Sequence, residues 1–256
     1  MTTFVTGAAG FIGSNLVDRL LGDGEVVIGY DNLSTGMPEF IASASRRRNF
    51  TFVRGDLLDT RSLTEAMRRA DRVVHLAANA DVRFGLAQPR RDLEQNTIAT
   101  FNVLEAMRSN SVREIAFSST GSIYGEAVVV PTPEDAPFPV QTSLYGASKL
   151  ASEGMIMAYA EGYGMRARIF RLVSILGRRY SHGHVIDFMK QLAKDPKRLH
   201  ILGDGKQRKS YLHVDDCIEA VLLALNAGDG NIGIFNLGTV ETCQVLDCVN
   251  WIVGRL

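Results

Sequence analysis

Through the first two thirds of the chain, short β-branched and apolar runs alternate with amphipathic stretches, the pattern of a parallel α/β sheet. It predicts strands at 3–6, 26–30, 50–54, 72–76, 114–118 and 168–172. Several of these are apolar throughout, as expected of strands covered by helices on both faces. Between and after them the spacing predicts helices over 11–21, 61–70, 96–108 and 144–163. In the third, Ile98, Phe101, Val103, Leu104 and Met107 approximate one helical stripe.

The segment 121–140 carries Pro131, Pro133, Pro137 and Pro139 with few helix signals, so it reads as an excursion over the sheet edge. After Gly177 the order is mixed: a helix near 185–194, a Gly203-Asp204-Gly205 turn, a short strand, and a helix capped by Asp215 and Asp216. The expected fold class is α/β, a Rossmann-type doubly wound parallel sheet. It is expected over 1–176 as a dinucleotide-binding domain to which some later segments return. Residues 177–256 are expected to form a small, partly interleaved substrate lobe in which Trp251, Ile252 and Val253 are core or interface contacts with apolar surface partly exposed.

Composition narrows the function. The 256 residues hold 28 Lys+Arg and 28 Asp+Glu, so bulk charge favours neither nucleic acid nor an anionic membrane as partner. No apolar run is long enough to span a bilayer, and the N-terminus has no basic region of a signal peptide. Cys217, Cys243 and Cys248 are odd in number and lack C-x-x-C spacing; they read as reduced thiols, which implies a cytoplasmic protein. His182 and His184 lie in a glycine-containing loop without nearby carboxylates, so no metal site is expected.

The chemistry begins with Gly7, Gly10 and Gly13, which follow a strand and open a helix together with Phe11 and Ile12. Such glycines make the turn, admit a pyrophosphate to the backbone and allow close helix–strand packing. Asp31 closes the second strand, where a carboxylate accepts both ribose hydroxyls of an adenosine and repels a 2′-phosphate. That favours NAD over NADP, and Arg46, Arg47 and Arg48 then read as a solvated run. His75 reads as a packed core residue, and the small residues of Leu76-Ala77-Ala78 let the backbone lie against a cofactor.

Tyr145 and Lys149 stand four apart on a predicted helix and so share one face. A free phenol, with a pKa of about 10, is a poor base at neutral pH. A nearby ammonium favours the phenolate, so the pair is predicted to bring the Lys149 charge close to the Tyr145 oxygen for acid–base work.

The G-x-x-G-x-x-G spacing with Y-x-x-x-K resembles the extended short-chain dehydrogenases/reductases. Together with Y-D-N-L-S-T-G, H-L-A-A, F-N-V-L-E-A-M, S-S-T-x-x-x-Y-G and G-D-G-K-Q-R-K-S-Y, the chain resembles the UDP-glucose 4-epimerase family, particularly its compact archaeal members. The resemblance implies an NAD-dependent isomerase that inverts C4 of a UDP-hexose through a 4-keto intermediate. It implies Tyr145 as acid/base, Lys149 as its partner and Thr120 as the bridging hydroxyl. It also implies cofactor contacts from Asn32, Ser34, Thr35, Gly36, Asp56, Leu57, Asn96 and Val173, with Ser174, Arg208 and Lys209 toward a UDP-sugar. A homodimer through the helices 96–108 and 144–163 is the family expectation.

The chain departs from the family at Ala99 (usually Gly), Ser174 (usually Asn) and Lys209 (usually Arg), and family members continue past the position of Leu256 with a tail this sequence lacks. Gly121 and Ser122, where 4,6-dehydratases carry carboxylates, disfavour dehydration. The alternatives are another nucleotide-sugar epimerase or reductase of the same family, or a truncated, non-catalytic NAD-binding protein.

Overall fold

The computed structural model describes residues 1–80, 85, 87–138, 140–201, 203–227 and 230–255; Pro139 and Leu256, singled out above, lie outside the described residues. The first half runs β1 (Thr2–Thr6), α1 (Phe11–Gly22), β2 (Val26–Asp31), β3 (Phe50–Arg54), α2 (Thr60–Ala66), β4 (Arg72–His75), α3 (Pro89–Asp92), a π-helical segment (Leu93–Ile98), α4 (Ala99–Ser109) and β5 (Glu114–Thr120). Then come α5 (Leu144–Tyr163), β6 (Arg166–Leu172), β7 (Ser174–Leu176), α6 (His184–Lys194), β8 (Arg208–Lys209) and β9 (Tyr211–His213). The chain closes with α7 (Val214–Asn226), β10 (Ile232–Leu237), β11 (Cys243–Gln244) and α8 (Val245–Val253).

Seven strands form one parallel sheet in the order β10-β6-β5-β4-β1-β2-β3. Alternate residues of a strand face opposite layers, which explains the uninterrupted apolar runs. Val5 packs with Val17 and Leu20 of α1 and Val221 of α7, while the preceding Phe4 packs with Leu104 of α4 and Ile156 of α5. The chain reverses strand order between β1 and β4, so a crevice opens beyond the carboxyl ends of these strands. The later segments divide: α7 and β10 join the main layers, the small sheet β7–β9 packs with α7 on the same core, and the small sheet β8–β11 lies beside α8, which packs on α6.

All six predicted strands are present, with β2 and β5 running on to Asp31 and Thr120 and β4 ending at His75. Other readings need correction. The helix expected at 61–70 ends at Ala66. The helix expected at 96–108 starts earlier, through α3 and the π segment, and its stripe splits: Val103, Leu104 and Met107 are fully buried, but Ile98 and Phe101 are 38% and 42% exposed. One extra residue per turn in a π segment rotates the residues around it off the buried face. The cap of α7 is the His213 ring, which accepts from the Asp215 N–H, while Asp215 and Asp216 sit inside the first turn. Of the three residues read as core or interface contacts, Ile252 is half-buried against the cluster of Phe188, Val245 and Val249, whereas Trp251 and Val253 are exposed.

Helix α5 occupies the bounds read from the sequence. Ser143 caps it by accepting the Gly146 N–H at 3.0 Å, and Gly164, at φ +63, ends it in a conformation open to glycine. Replacing this cap, Ser143→Ala, is expected to lower stability by about 1 kcal/mol, read as a shift in urea midpoint without a change of slope.

Candidate active site

The glycine turn is built for close approach. At Gly7, φ is +69 and a Cβ would stand 2.8 Å from the Ala77 nitrogen; at Gly13 a Cβ would meet the Gly7 oxygen at 2.0 Å. Helix α1 begins at Phe11 behind Gly10 with no side-chain cap, leaving its N-terminal end open to an anion. Phe11 is core, packed edge-on against Tyr180, while Ile12 is half-buried.

Asp31 lies next to this turn. One carboxylate oxygen accepts the Ala9 N–H at 3.0 Å and the other the Leu33 N–H at 2.8 Å. Burial raises its pKa, and the two backbone donors oppose that. Each oxygen keeps a second lone-pair direction for a ribose hydroxyl. Gly36 is needed here, since a Cβ would come within 2.9 Å of the carboxylate. Asn32 donates to Asp56 at 2.9 Å, and a cleft of about 590 Å³ is lined by Asn32, Ser34, Thr35, Asp56, Ala78 and Asn79 among others. Leu57 is buried in the core, so only its backbone faces this region, and Arg46, Arg47 and Arg48 are exposed. The residues fit an NAD: a tight glycine cradle for its pyrophosphate, a carboxylate that excludes a 2′-phosphate, and a cleft for its adenosine half.

His75 is the packed residue expected. Thr100 spends its proton on the Asn96 carbonyl and so accepts from His75 Nε2–H, while Nδ1 accepts from Thr6 at 2.7 Å. Burial pushes this imidazole down to about 3, so it stays neutral. Thr6 in turn accepts the N–H groups of Leu76 and Ala77, which fixes the strand end. Asn96 sits in the π segment, accepting the Asn79 N–H at 2.8 Å and donating to Ser148 at 2.9 Å. It thereby ties the turn after β4 to α5.

Tyr145 stands in the first turn of α5, in hydrogen-bonding contact with Thr120 at the end of β5. Burial pushes its phenol up to about 12, with the Thr120 contact pulling down and the Asp92 carboxylate adding upward pressure. Thr120 Oγ1 also lies 3.2 Å from the Ser122 hydroxyl and accepts the Ser122 N–H at 3.1 Å. The Lys149 ammonium donates to the Ser118 carbonyl at 2.7 Å and lies 4.5 Å from the centre of the Phe117 ring. A buried cation takes the nearest strong acceptor, here a strand-end carbonyl. Burial lowers this amine to about 7, and Glu153 opposes that.

Toward the later segments, Val173 donates its N–H to the Leu237 carbonyl, and Ser174 pairs with Tyr211 across β7–β9. Arg208 and Lys209 point to opposite sides of β8. Arg208 is held by Thr242, at 2.8 Å to its hydroxyl and 3.0 Å to its carbonyl, which turns it toward β11. Lys209 is half-buried on the side of His184. His184 meets the Tyr211 hydroxyl at 2.6 Å, and burial lowers it to about 4. The sequence reading missed Asn79, Asp92, Ser148 and Glu153. Ser148 and Glu153 share the buried face of α5 with Lys149, a spacing visible in sequence; Asp92 and Asn79 meet only through the fold.

Gly13→Ala is expected to weaken NAD(H) binding at least tenfold, about 1.4 kcal/mol, whereas Gly22→Ala, with nothing within 4 Å of the added Cβ, leaves it unchanged. Titration of bound NADH fluorescence distinguishes the two.

A family profile described as "NAD dependent epimerase/dehydratase family" matches residues 3–238. The chain is 36% identical over 249 residues to a UDP-glucose 4-epimerase of Mycolicibacterium smegmatis, covering 94% of this chain and 79% of that one. Among solved structures, a crystal structure of UDP-galactose 4-epimerase superposes with a TM-score of 0.90 at 38% identity, over 99% of this chain and 82% of that one. The UDP-glucose 4-epimerase of Thermotoga maritima, solved with UDP-glucose, gives 0.88 at 36% identity, over 99% and 83%. With its glycine cradle, acidic strand end and Tyr145–Lys149 helix on one crevice, the chain belongs to the NAD dependent epimerase/dehydratase family.

Proposed function

We propose that this protein is an NAD-dependent nucleotide-sugar epimerase that inverts C4 of a UDP-hexose, interconverting UDP-galactose and UDP-glucose. The observation that carries the reading is the contact between the Tyr145 phenol and Thr120, on the same rim as the glycine turn and Asp31. The sequence similarity to UDP-glucose 4-epimerases supports the choice of substrate.

Gly7, Gly10, Gly13 and Asp31 would hold the cofactor's pyrophosphate and adenosine ribose, and Lys149 the ribose at the other end. Asn32, Ser34, Thr35, Asp56, Leu76, Ala77 and Ala78 would line its path. When bound, NAD supplies a hydride acceptor that returns the hydride in the same cycle, so it is regenerated rather than consumed. The remaining work is proton transfer. Thr120 bridges the C4 hydroxyl to Tyr145, the phenolate oxygen takes the proton of that hydroxyl, and the same oxygen returns it to O4 after the 4-keto sugar has turned over. Ser174 and Lys209 would meet the sugar diphosphate, Lys209 as a point charge rather than a bidentate fork. Arg208 would have to leave Thr242 to take part.

The segments outside the seven-stranded sheet, β7–β9, β8–β11, α6 and α8, form the substrate lobe of this reading. No helix among the described residues is long and apolar enough to cross a membrane, and the three free thiols fit a cytoplasmic enzyme. We also assign a homodimer through α4 and α5. Ile98 at the end of the π segment, Phe101 on α4, and Leu144 and Tyr163 on α5 are 38–49% exposed, an apolar surface of the kind that an isologous helix pair covers.

Proton NMR of UDP-galactose with the purified chain and NAD⁺ tests the reading. Growth of UDP-glucose anomeric signals with wild type, falling at least 100-fold in Tyr145→Phe, is the expected outcome. No conversion while NAD stays bound would refute it.

A further inference from the structure

Three residues of α5 recur at four-residue spacing on its buried face: Tyr145, Lys149 and Glu153. The mechanism uses the first two. Glu153 is 0% exposed and lies against Arg171, 2% exposed, on β6. The guanidinium donates from Nη2 to Oε2 at 2.9 Å and from Nε to the two carboxylate oxygens at 3.2 and 3.3 Å. Arg171 stands opposite Ser119 of β5, one residue beyond the carbonyl that takes the Lys149 ammonium. The lysine, the carboxylate and the arginine therefore share one dry seam between α5 and the β5–β6 strand pair.

A buried ion pair is by itself weak support for a fold, because desolvating two charges offsets their attraction. We infer that Glu153, clamped by Arg171, is a positioning residue for the reaction, whose carboxylate keeps Lys149 a charged ammonium. The contacts of Lys149 are the neutral Ser118 carbonyl and the Phe117 ring. Of the titratable groups around it, His75 on β4 is neutral, the Tyr145 phenol lies one turn up the helix, and Arg171 on β6 is a like charge. Glu153, one turn below the lysine on the same buried face, supplies the negative charge and is ion-paired with Arg171. Burial alone drives the lysine toward its neutral form, and the carboxylate opposes this. At neutral pH the balance is close, so loss of one carboxylate discharges most of the population. A neutral amine neither favours the Tyr145 phenolate nor donates with full strength to a ribose.

The same guanidinium reaches further. Its Nη1 donates to the Tyr124 hydroxyl at 2.6 Å and to the Glu134 carbonyl at 2.8 Å, and it lies over the Tyr124 and Phe138 rings at 5.1 and 5.2 Å. The charge of Glu153 is thus held in place by the excursion that follows β5, which explains why an arginine rather than a lysine is built in.

The inference rests on the catalytic reading of Tyr145 and Lys149, and its test reads the lysine directly, so an inactive enzyme does not decide it. The full chain labelled with ¹³C at the lysine ε-carbon gives six resonances to titrate, with Lys149 assigned by its loss in Lys149→Met. In wild type the Lys149 midpoint is expected near 7. In Glu153→Gln it falls by about one unit, a roughly tenfold loss of ammonium at fixed pH. The double variant Glu153→Gln with Arg171→Met removes both charges and is expected to titrate between the two. A Glu153→Gln midpoint at or above wild type overturns the inference. If that variant does not fold, a double-variant midpoint at or above wild type does the same.

Discussion

The site depends on the exclusion of water from the seam where α5 lies across β5 and β6. Withdrawing a phenol, an ammonium, a carboxylate and a guanidinium from solvent penalises each charged form, and the penalty is offset only by specific partners. Every polar contact on this face of α5 answers that constraint. Lys149 takes the Ser118 carbonyl, Glu153 takes Arg171, and Ser148 takes Asn96. The parallel sheet then delivers the ends of β1, β2, β4 and β5 to one rim, so the nucleotide cradle and the acid–base face are set by one framework.

The same exclusion sets the resting state of Tyr145. A phenol at about 12 is ionised in roughly one molecule in 10⁵ at pH 7. Bringing it to the working range asks for roughly 5 kcal/mol of phenolate stabilisation, at 1.36 kcal/mol per pKa unit. The Thr120 hydrogen bond is already part of that resting state, and Lys149, bonded to the Ser118 carbonyl, is placed to add the field of its charge. The positive nicotinamide of bound NAD⁺ is the remaining source. Proton transfer is thereby coupled to cofactor binding, because the protein groups alone hold this tyrosine neutral.

Much of this was legible in the chain because it depends on local spacing. The apolar runs around Phe4, Val27, Val74 and Phe117 announce strands covered on both faces, and the three early glycines announce a turn that only a missing Cβ permits. Tyr145 and Lys149 declare a shared face by being four apart. What was not legible is set by tertiary partners. The direction of Lys149 depends on which carbonyl β5 presents, and Arg208 is turned by Thr242, 34 residues away. The π segment that carries Asn96 has no periodic signature, so Ile98 and Phe101 read as core although they face outward. A short strand was legible after the Gly203-Asp204-Gly205 turn, where β8 and β9 lie, but β7 and β11, of three and two residues, are too brief for a period-2 pattern to register.

The coupling of the Tyr145 proton to the cofactor is the central claim. An ultraviolet difference titration at the phenolate band, comparing wild type with Tyr145→Phe, isolates this one tyrosine with and without saturating NAD⁺. The account predicts a Tyr145 midpoint of about 12 without cofactor and a fall of several units when NAD⁺ is bound. A midpoint that is the same in both states would contradict it.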